Sequence, residues 1–154
     1  MKNILKIVVL SLALAAAVAC DDDKQPVDTS LPVTSNNIAG TWQLARWNDA
    51  PLADGSYVYL HIIRKDNLFE LYQNLDTFQA RKLTGRFALN EDEELGTLIR
   101  GLYDYGTGEW QHRYIVRDLT ADRMVWVALD DPDDISIYVR CDAIPQEIID
   151  QSRP

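Results

Sequence analysis

The only histidines of the chain, His61 and His112, are the first residues to test for acid–base or metal chemistry. Each lies in a stretch with the two-residue alternation of a β-strand. Neither has a cysteine or another histidine at metal-ligand spacing. The chain contains no Gly-x-Ser-x-Gly elbow and no glycine-rich loop opening a helix. The carboxylate runs EDEE (Glu91 to Glu94) and DDPDD (Asp130 to Asp134) both fall between strand-like segments. They lack the alternating aspartates, glycine and distal glutamate of a calcium loop. No catalytic residue, metal site or cofactor is expected, and the chain does not read as an enzyme.

Aromatic residues offer a different chemistry. Tyr57, Tyr59, Tyr72, Tyr103, Tyr105, Trp110, Tyr114 and Trp126 are spread over the strand-like segments, and most of them should serve as packing. A binding pocket is mostly apolar with a few placed polar groups. Tyr59, His61, Tyr72, Tyr103, His112, Tyr114 and Trp126 are therefore the candidates to line one.

These residues need a scaffold, and its pattern is all-β. Short runs rich in Val, Ile, Tyr, Trp and Leu recur between turn clusters. They predict eight strands: Ala39 to Trp47, Tyr57 to Arg64, Leu68 to Leu75, Arg81 to Leu89, Leu95 to Tyr103, Glu109 to Arg117, Arg123 to Leu129 and Ile135 to Cys141. Asp54-Gly55, Lys65-Asp66-Asn67, Gly106 to Gly108 and Pro132 supply the turns. In IPQEIIDQ, Pro145 suits a first helical turn and Ile144, Ile148 and Ile149 share a stripe, so a short C-terminal helix should follow. Eight sequential antiparallel strands lose their unpaired edges by closing into an up-and-down barrel. A β-sandwich is the alternative.

In such a meander the odd-numbered connections share one end. That mouth would hold Asp49, Asp54, Asp76, Asp104, Asp130, Asp131, Asp133 and Asp134 in the segments 48–56, 75–79, 104–108 and 130–134, which contain no Lys or Arg. An acidic mouth favours a small neutral or cationic ligand, or a basic protein segment, over an anion.

The N-terminus addresses location. Lys2 and Lys6 precede an apolar stretch that ends at Ala19, too short to span about 30 Å of hydrocarbon as a helix, and residues 1–19 read as a signal peptide. The junction AVAC resembles the lipobox of bacterial lipoproteins, which implies that Cys20 is acylated. Acyl chains gain about 0.8 kcal/mol per buried methylene, so they can replace a transmembrane helix as an anchor. The following Asp21-Asp22-Asp23 resembles the export signal of surface lipoproteins of the Bacteroidota, implying an outer-membrane location at the cell surface, with the periplasmic face as the alternative. Residues 21–37 mix charge, Pro, Ser, Thr and Asn without an apolar period, and segment 20–37 reads as a tether reaching at most about 60 Å. The barrel domain is expected over 38–154. Cys141 is left without a disulfide partner. Without residues 1–19 the chain has 13 basic and 24 acidic groups, a net charge of −11. Nucleic acid is therefore not an expected partner, and a monomer is expected.

The stretch IAGTWQL (Ile38 to Leu44) resembles the Gly-x-Trp opening of lipocalins and other calycins. In that family the tryptophan crosses the closed end of the barrel and meets an arginine on or after the last strand. The resemblance assigns these roles to Trp42 and to Arg140 of IYVRC, a structural pair of indole and guanidinium. Lipobox, tether, Gly-x-Trp and the terminal AIPQEII together are similar to the lipocalin-like lipoproteins of the Bacteroidota. Three functions follow as expectations, in this order: a small-ligand binder, a protein-interaction or inhibitor module using the mouth loops, and an envelope enzyme.

Overall fold

A computed structural model describes residues 29–75, 79–106 and 108–152. Cys20, the signal segment and Asp76 of the expected mouth lie outside the described residues. The strands are β1 (Gly40–Trp47), β2 (Ala50–Pro51), β3 (Val58–Ile63), β4 (Leu68–Gln73), β5 (Arg81–Asp92), β6 (Gly96–Tyr103), β7 (Tyr114–Arg117), β8 (Arg123–Ala128) and β9 (Ile135–Cys141). All pairings are antiparallel and, β2 apart, join sequence neighbours, while β1 also pairs with β9. The result is a closed eight-stranded barrel with β2 as a two-residue appendage, and the sandwich alternative falls. Two short helices, α1 (Ser35–Ile38) and α2 (Gln146–Gln151), flank it.

One face of each strand points inward, as the pleat requires. Ile38, Trp42, Ile62, Phe69, Phe87, Ile99, Leu119 and Met124 belong to one buried cluster. The closed end of that cluster is stoppered by a polar assembly. The Arg140 guanidinium lies 4.1 Å from the Trp42 ring centre. Its nitrogens donate to the carbonyls of Ala121 (2.6 Å), Ala39 (2.7 Å) and Asn37 (3.1 Å), and the Trp42 indole donates to Ile38 at 2.8 Å. Gly40 has φ +129°, and a Cβ there would come within 2.2 Å of Arg140 Nη1. The glycine of Gly-x-Trp is therefore where the arginine passes the backbone.

Three details depart from the sequence reading. The chain is held to the barrel from Leu31, seven residues before the expected boundary at Ile38. Leu31 donates its N–H to Leu119 at 2.7 Å, Val33 packs on the core, and Thr34 caps α1. Short apolar residues within a polar segment gave no periodic signal. Second, the first mouth segment begins with a tight hairpin: Asn48 and Asp49 both have positive φ between the paired Trp47 and Ala50, the backbone of a type I′ turn.

Third, the strand expected over 109–117 is broken. Glu109 bridges Leu102 and the Trp110 N–H donates to Gly101 (2.9 Å), but regular pairing resumes only with Tyr114 opposite Ile99. Two extra residues in this register make a bulge at 111–113. The Trp110 ring covers Gly101 so closely that a Cβ there would lie 2.0 Å from it.

We predict that Trp42→Ala costs about 3–5 kcal/mol and that Arg140→Ala costs about 1–3 kcal/mol through lost charged hydrogen bonds. Because the groups touch, a double-mutant cycle by urea unfolding should give a coupling of about 0.5 kcal/mol or more. Additive losses would mean that the stopper is not one unit.

Candidate functional site

Toward the mouth the interior is not filled. A cavity of about 510 Å³ opens there, with a wall that includes Leu60, Leu71, Gln73, Tyr103, Trp110, His112, Tyr114, Trp126 and Tyr138, and a rim formed by Trp47, Asn48, Asp131 and Asp134. This volume suits one small organic ligand. The aromatic wall is continuous. Ring centres are 5.5 Å apart for Trp110–Trp126, 5.4 Å for Tyr114–Trp126 and 5.0 Å for Trp126–Tyr138. Phe69 supports it from the core side at 5.0 Å from Trp110. The space exists because β5 and β6 present Gly85 and Gly101 inward, where the rings of Phe69 and Trp110 lie on bare backbone.

The bulge at 111–113 delivers the polar rim. It aims His112 at the β8–β9 turn, where Nδ1 is 2.7 Å from an Asp130 oxygen and Nε2 is 3.9 Å from Asp134 Oδ2. Asp134 Oδ1 accepts a 2.7 Å bond from the Trp47 indole. Asp134 is held in place from β1 as well, since Ile135 and Asn48 exchange backbone and side-chain bonds across the seam. The Asp134 side chain is 15% exposed, whereas that of Asp130 is 65% exposed. The His112 hydrogen bond holds the Asp130 carboxyl below the usual carboxylate range.

The Tyr114 and Tyr138 hydroxyls are pushed well above the ordinary tyrosine range, by burial first and further by nearby negative groups that include Asp134. Both stay neutral donors at physiological pH. The Trp126 indole N–H is buried and has no acceptor among the described residues. The described residues lining the main cavity include no Lys, Arg, Ser, Thr or Cys, and no group of three or more potential metal ligands occurs among the described residues.

Of the lining candidates read from sequence, Tyr103, His112, Tyr114 and Trp126 meet at this cavity, and Tyr59, His61 and Tyr72 do not. Register explains the split. Leu60 and Leu71 pair and face inward, so the flanking Tyr59 and Tyr72, and His61 beside Glu70, face out. There they form a structural cluster. Lys82 donates to Glu70 at 2.7 Å and lies 5.3 Å from the Tyr72 ring centre, with His61 3.7 Å from Glu70. Burial alone would raise the Glu70 pKa, but the Lys82 bond and charge, with His61 and Tyr72, hold it low. Burial likewise raises the Tyr59 hydroxyl and the partly buried, free thiol of Cys141. Sequence reading missed Trp47 and Tyr138 as lining residues. A type I′ hairpin signal at Asn48-Asp49 would have placed Trp47 at the mouth.

The acidic mouth is unevenly used. Asp131 and Asp134 line the cavity, and Asp130 engages His112. Asp104 accepts from Thr84 at 2.7 Å, Asp49 receives Arg46 on its backbone carbonyl, and Asp54 and Asp133 are exposed. The expectation of a mouth without cations needs correction, because the bulge and the β1–β2 hairpin bring Arg113 and Arg46 to its edge.

The folded pKa values of Tyr114 and Tyr138 exceed the unfolded value of about 10. Their contribution to stability is therefore complete below about pH 10 and is lost as pH rises toward the folded values. The urea midpoint should fall above that pH, and Tyr114→Phe and Tyr138→Phe should each flatten the fall. An alkaline profile unchanged by either substitution would contradict the burial of these hydroxyls.

No family model matches this chain, and no curated protein is similar to it. Among solved structures it is similar to a lipocalin-like protein from Bacteroides uniformis, at 16% identity and a TM-score of 0.48, over 68% of this chain and 99% of that one.

Proposed function

We propose that the protein is an envelope-anchored lipoprotein whose barrel binds one small neutral or cationic organic molecule. The observation that carries the binding reading is the cavity: about 510 Å³, walled by aromatic rings, with Asp131 and Asp134 at its rim and no Lys or Arg in its described lining. Aromatic faces accept sugars, apolar bodies and cations alike. The carboxylates disfavour fatty acids and other anions. The buried Trp126 N–H supplies a donor to a ligand acceptor, which would relieve the cost of leaving it unpaired. A barrel filled by side chains would instead have favoured a protein-interaction module, and this one is open at the mouth.

Anchoring rests on the lipobox-like AVAC and its Cys20. The described N-terminal segment lies away from the mouth: Leu31 bonds to Leu119 in the β7–β8 turn, the turn that also holds Arg140. A lipid at Cys20 would thus present the mouth outward, toward arriving ligand. No helix among the described residues is long and apolar enough to cross a membrane.

Native mass spectrometry of the protein extracted from its own cells, followed by tryptophan-fluorescence titration with neutral, cationic and anionic compounds, tests the binding reading. The expected result is a retained or titratable neutral or cationic ligand and weaker binding of anions. An empty protein that quenches with no compound, or that prefers fatty acids, would refute it. For the anchor, Cys20→Ser should move the protein from the membrane to the soluble fraction with an unchanged melting temperature. Membrane retention after a high-salt wash would refute that assignment.

A further inference from the structure

Asp134 is a largely buried carboxylate of the mouth, 15% exposed, with no Lys or Arg partner among the described residues and with His112 as its one ion-pair neighbour. Its Oδ1 is engaged by the Trp47 indole at 2.7 Å. Its Oδ2 is 3.9 Å from His112 Nε2, beyond hydrogen-bond distance, while His112 spends its other nitrogen on Asp130. Asp130 differs, being well exposed and placed near Arg113. Asp134 is thus a carboxylate largely removed from water, oriented by an indole, and provided with an oxygen that accepts no hydrogen bond from the described residues. A charge in that position gains most from a partner that is itself desolvated.

The second observation is the ring wall beside this carboxylate. Tyr114 and Tyr138 line the cavity together with Asp134 and, through Trp126, belong to one ring cluster. Their faces attract a cation and their hydroxyls resist ionisation. The negative potential of Asp134 reaches them, as its charge adds to the burial that raises both hydroxyls. A neutral sugar would use the ring faces but would leave Oδ2 and its charge unneutralised. A quaternary ammonium would satisfy the rings but could donate no hydrogen bond to Oδ2.

We propose that the ligand is a protonated primary or secondary amine, whose N–H donates to Asp134 Oδ2 while its organic body lies against Tyr114, Trp126 and Tyr138. This deepens the small-ligand reading and rests on it. Asp134 then fixes the ligand's orientation, ammonium at the rim and apolar end toward Leu60 and Leu71. Specificity arises from the difference between an N–H-bearing cation and an isosteric neutral group, the type of discrimination that a buried hydrogen-bonding group enforces strongly.

The test uses the full-length protein in neutral detergent, with tryptophan fluorescence read against a detergent blank. The probes are 2-phenylethylamine, its neutral isostere 2-phenylethanol and the anion 3-phenylpropionate. The amine should bind at least about tenfold more tightly than the alcohol, and the anion most weakly. Asp134→Asn should abolish the amine's advantage with little change for the alcohol, and Asp133→Asn, at an exposed position, should keep it. If Asp134→Asn does not fold, the unaltered protein decides: added NaCl should weaken the amine and spare the alcohol. Equal affinity for amine and alcohol, or an amine affinity indifferent to Asp134→Asn, would overturn the proposal while leaving small-ligand binding in place. Failure of all three probes to bind would also overturn it. The broader reading would fall only if the wider panel and native mass spectrometry were negative as well.

Discussion

The Arg140 guanidinium is the junction on which the barrel depends. It ties its own strand β9 to two segments remote in sequence, the approach to β1 at Asn37 and Ala39 and the β7–β8 turn at Ala121. It also stacks on Trp42, the residue it faces across the closing seam. A meander closes only if its first and last strands meet, and this contact occurs where they do. A guanidinium suits the task because its planar fork can serve several carbonyls while one face remains on an indole. Gly40 is the condition for it, since any side chain would occupy the space of Nη1.

From that fixed end the interior changes character. Near the stopper, Ile38, Trp42, Leu119 and Met124 are fully buried and exclude water. Toward the mouth, large rings meet glycines. Trp110 on Gly101 fills the volume that an ordinary side chain would have taken and lines the cavity, while Phe69 on Gly85 backs that ring from the core side. The same β6–β7 boundary yields the bulge that turns His112 to the rim. One local irregularity thereby sets both the aromatic wall and its polar edge, consistent with the use of bulges to re-aim side chains at functional sites.

The outer wall shows that chemically suggestive residues can be structural. His61, Glu70, Lys82 and Tyr72 form a compact charged group, yet they sit on the outer face of β3, β4 and β5 and do not line the cavity at the mouth. Their pairing offsets the cost of partial burial. The inner group of Asp134, Trp47 and His112 is similar in composition and differs in what it faces.

Much of the architecture was legible in the chain, for a physical reason. Strand existence, the short C-terminal helix and the mouth-end grouping of the odd connections follow from a two-residue period, turn chemistry and parity, all of which are local. The Gly-x-Trp resemblance pointed to Trp42 and Arg140 because both positions are fixed by a short motif and a strand end. The site was legible only in part. Tyr103, His112, Tyr114 and Trp126 reached the cavity, but Tyr59, His61 and Tyr72 did not, since β3 and β4 are apolar on both faces and their alternation carries no sign. The choice of face was made by pairing with neighbours far along the chain. Trp47 and Asp134 are 87 residues apart, and their bond depends on the β1–β9 closure. Only the tertiary structure decided that an indole of the first strand would orient a carboxylate of the last turn over an open cavity.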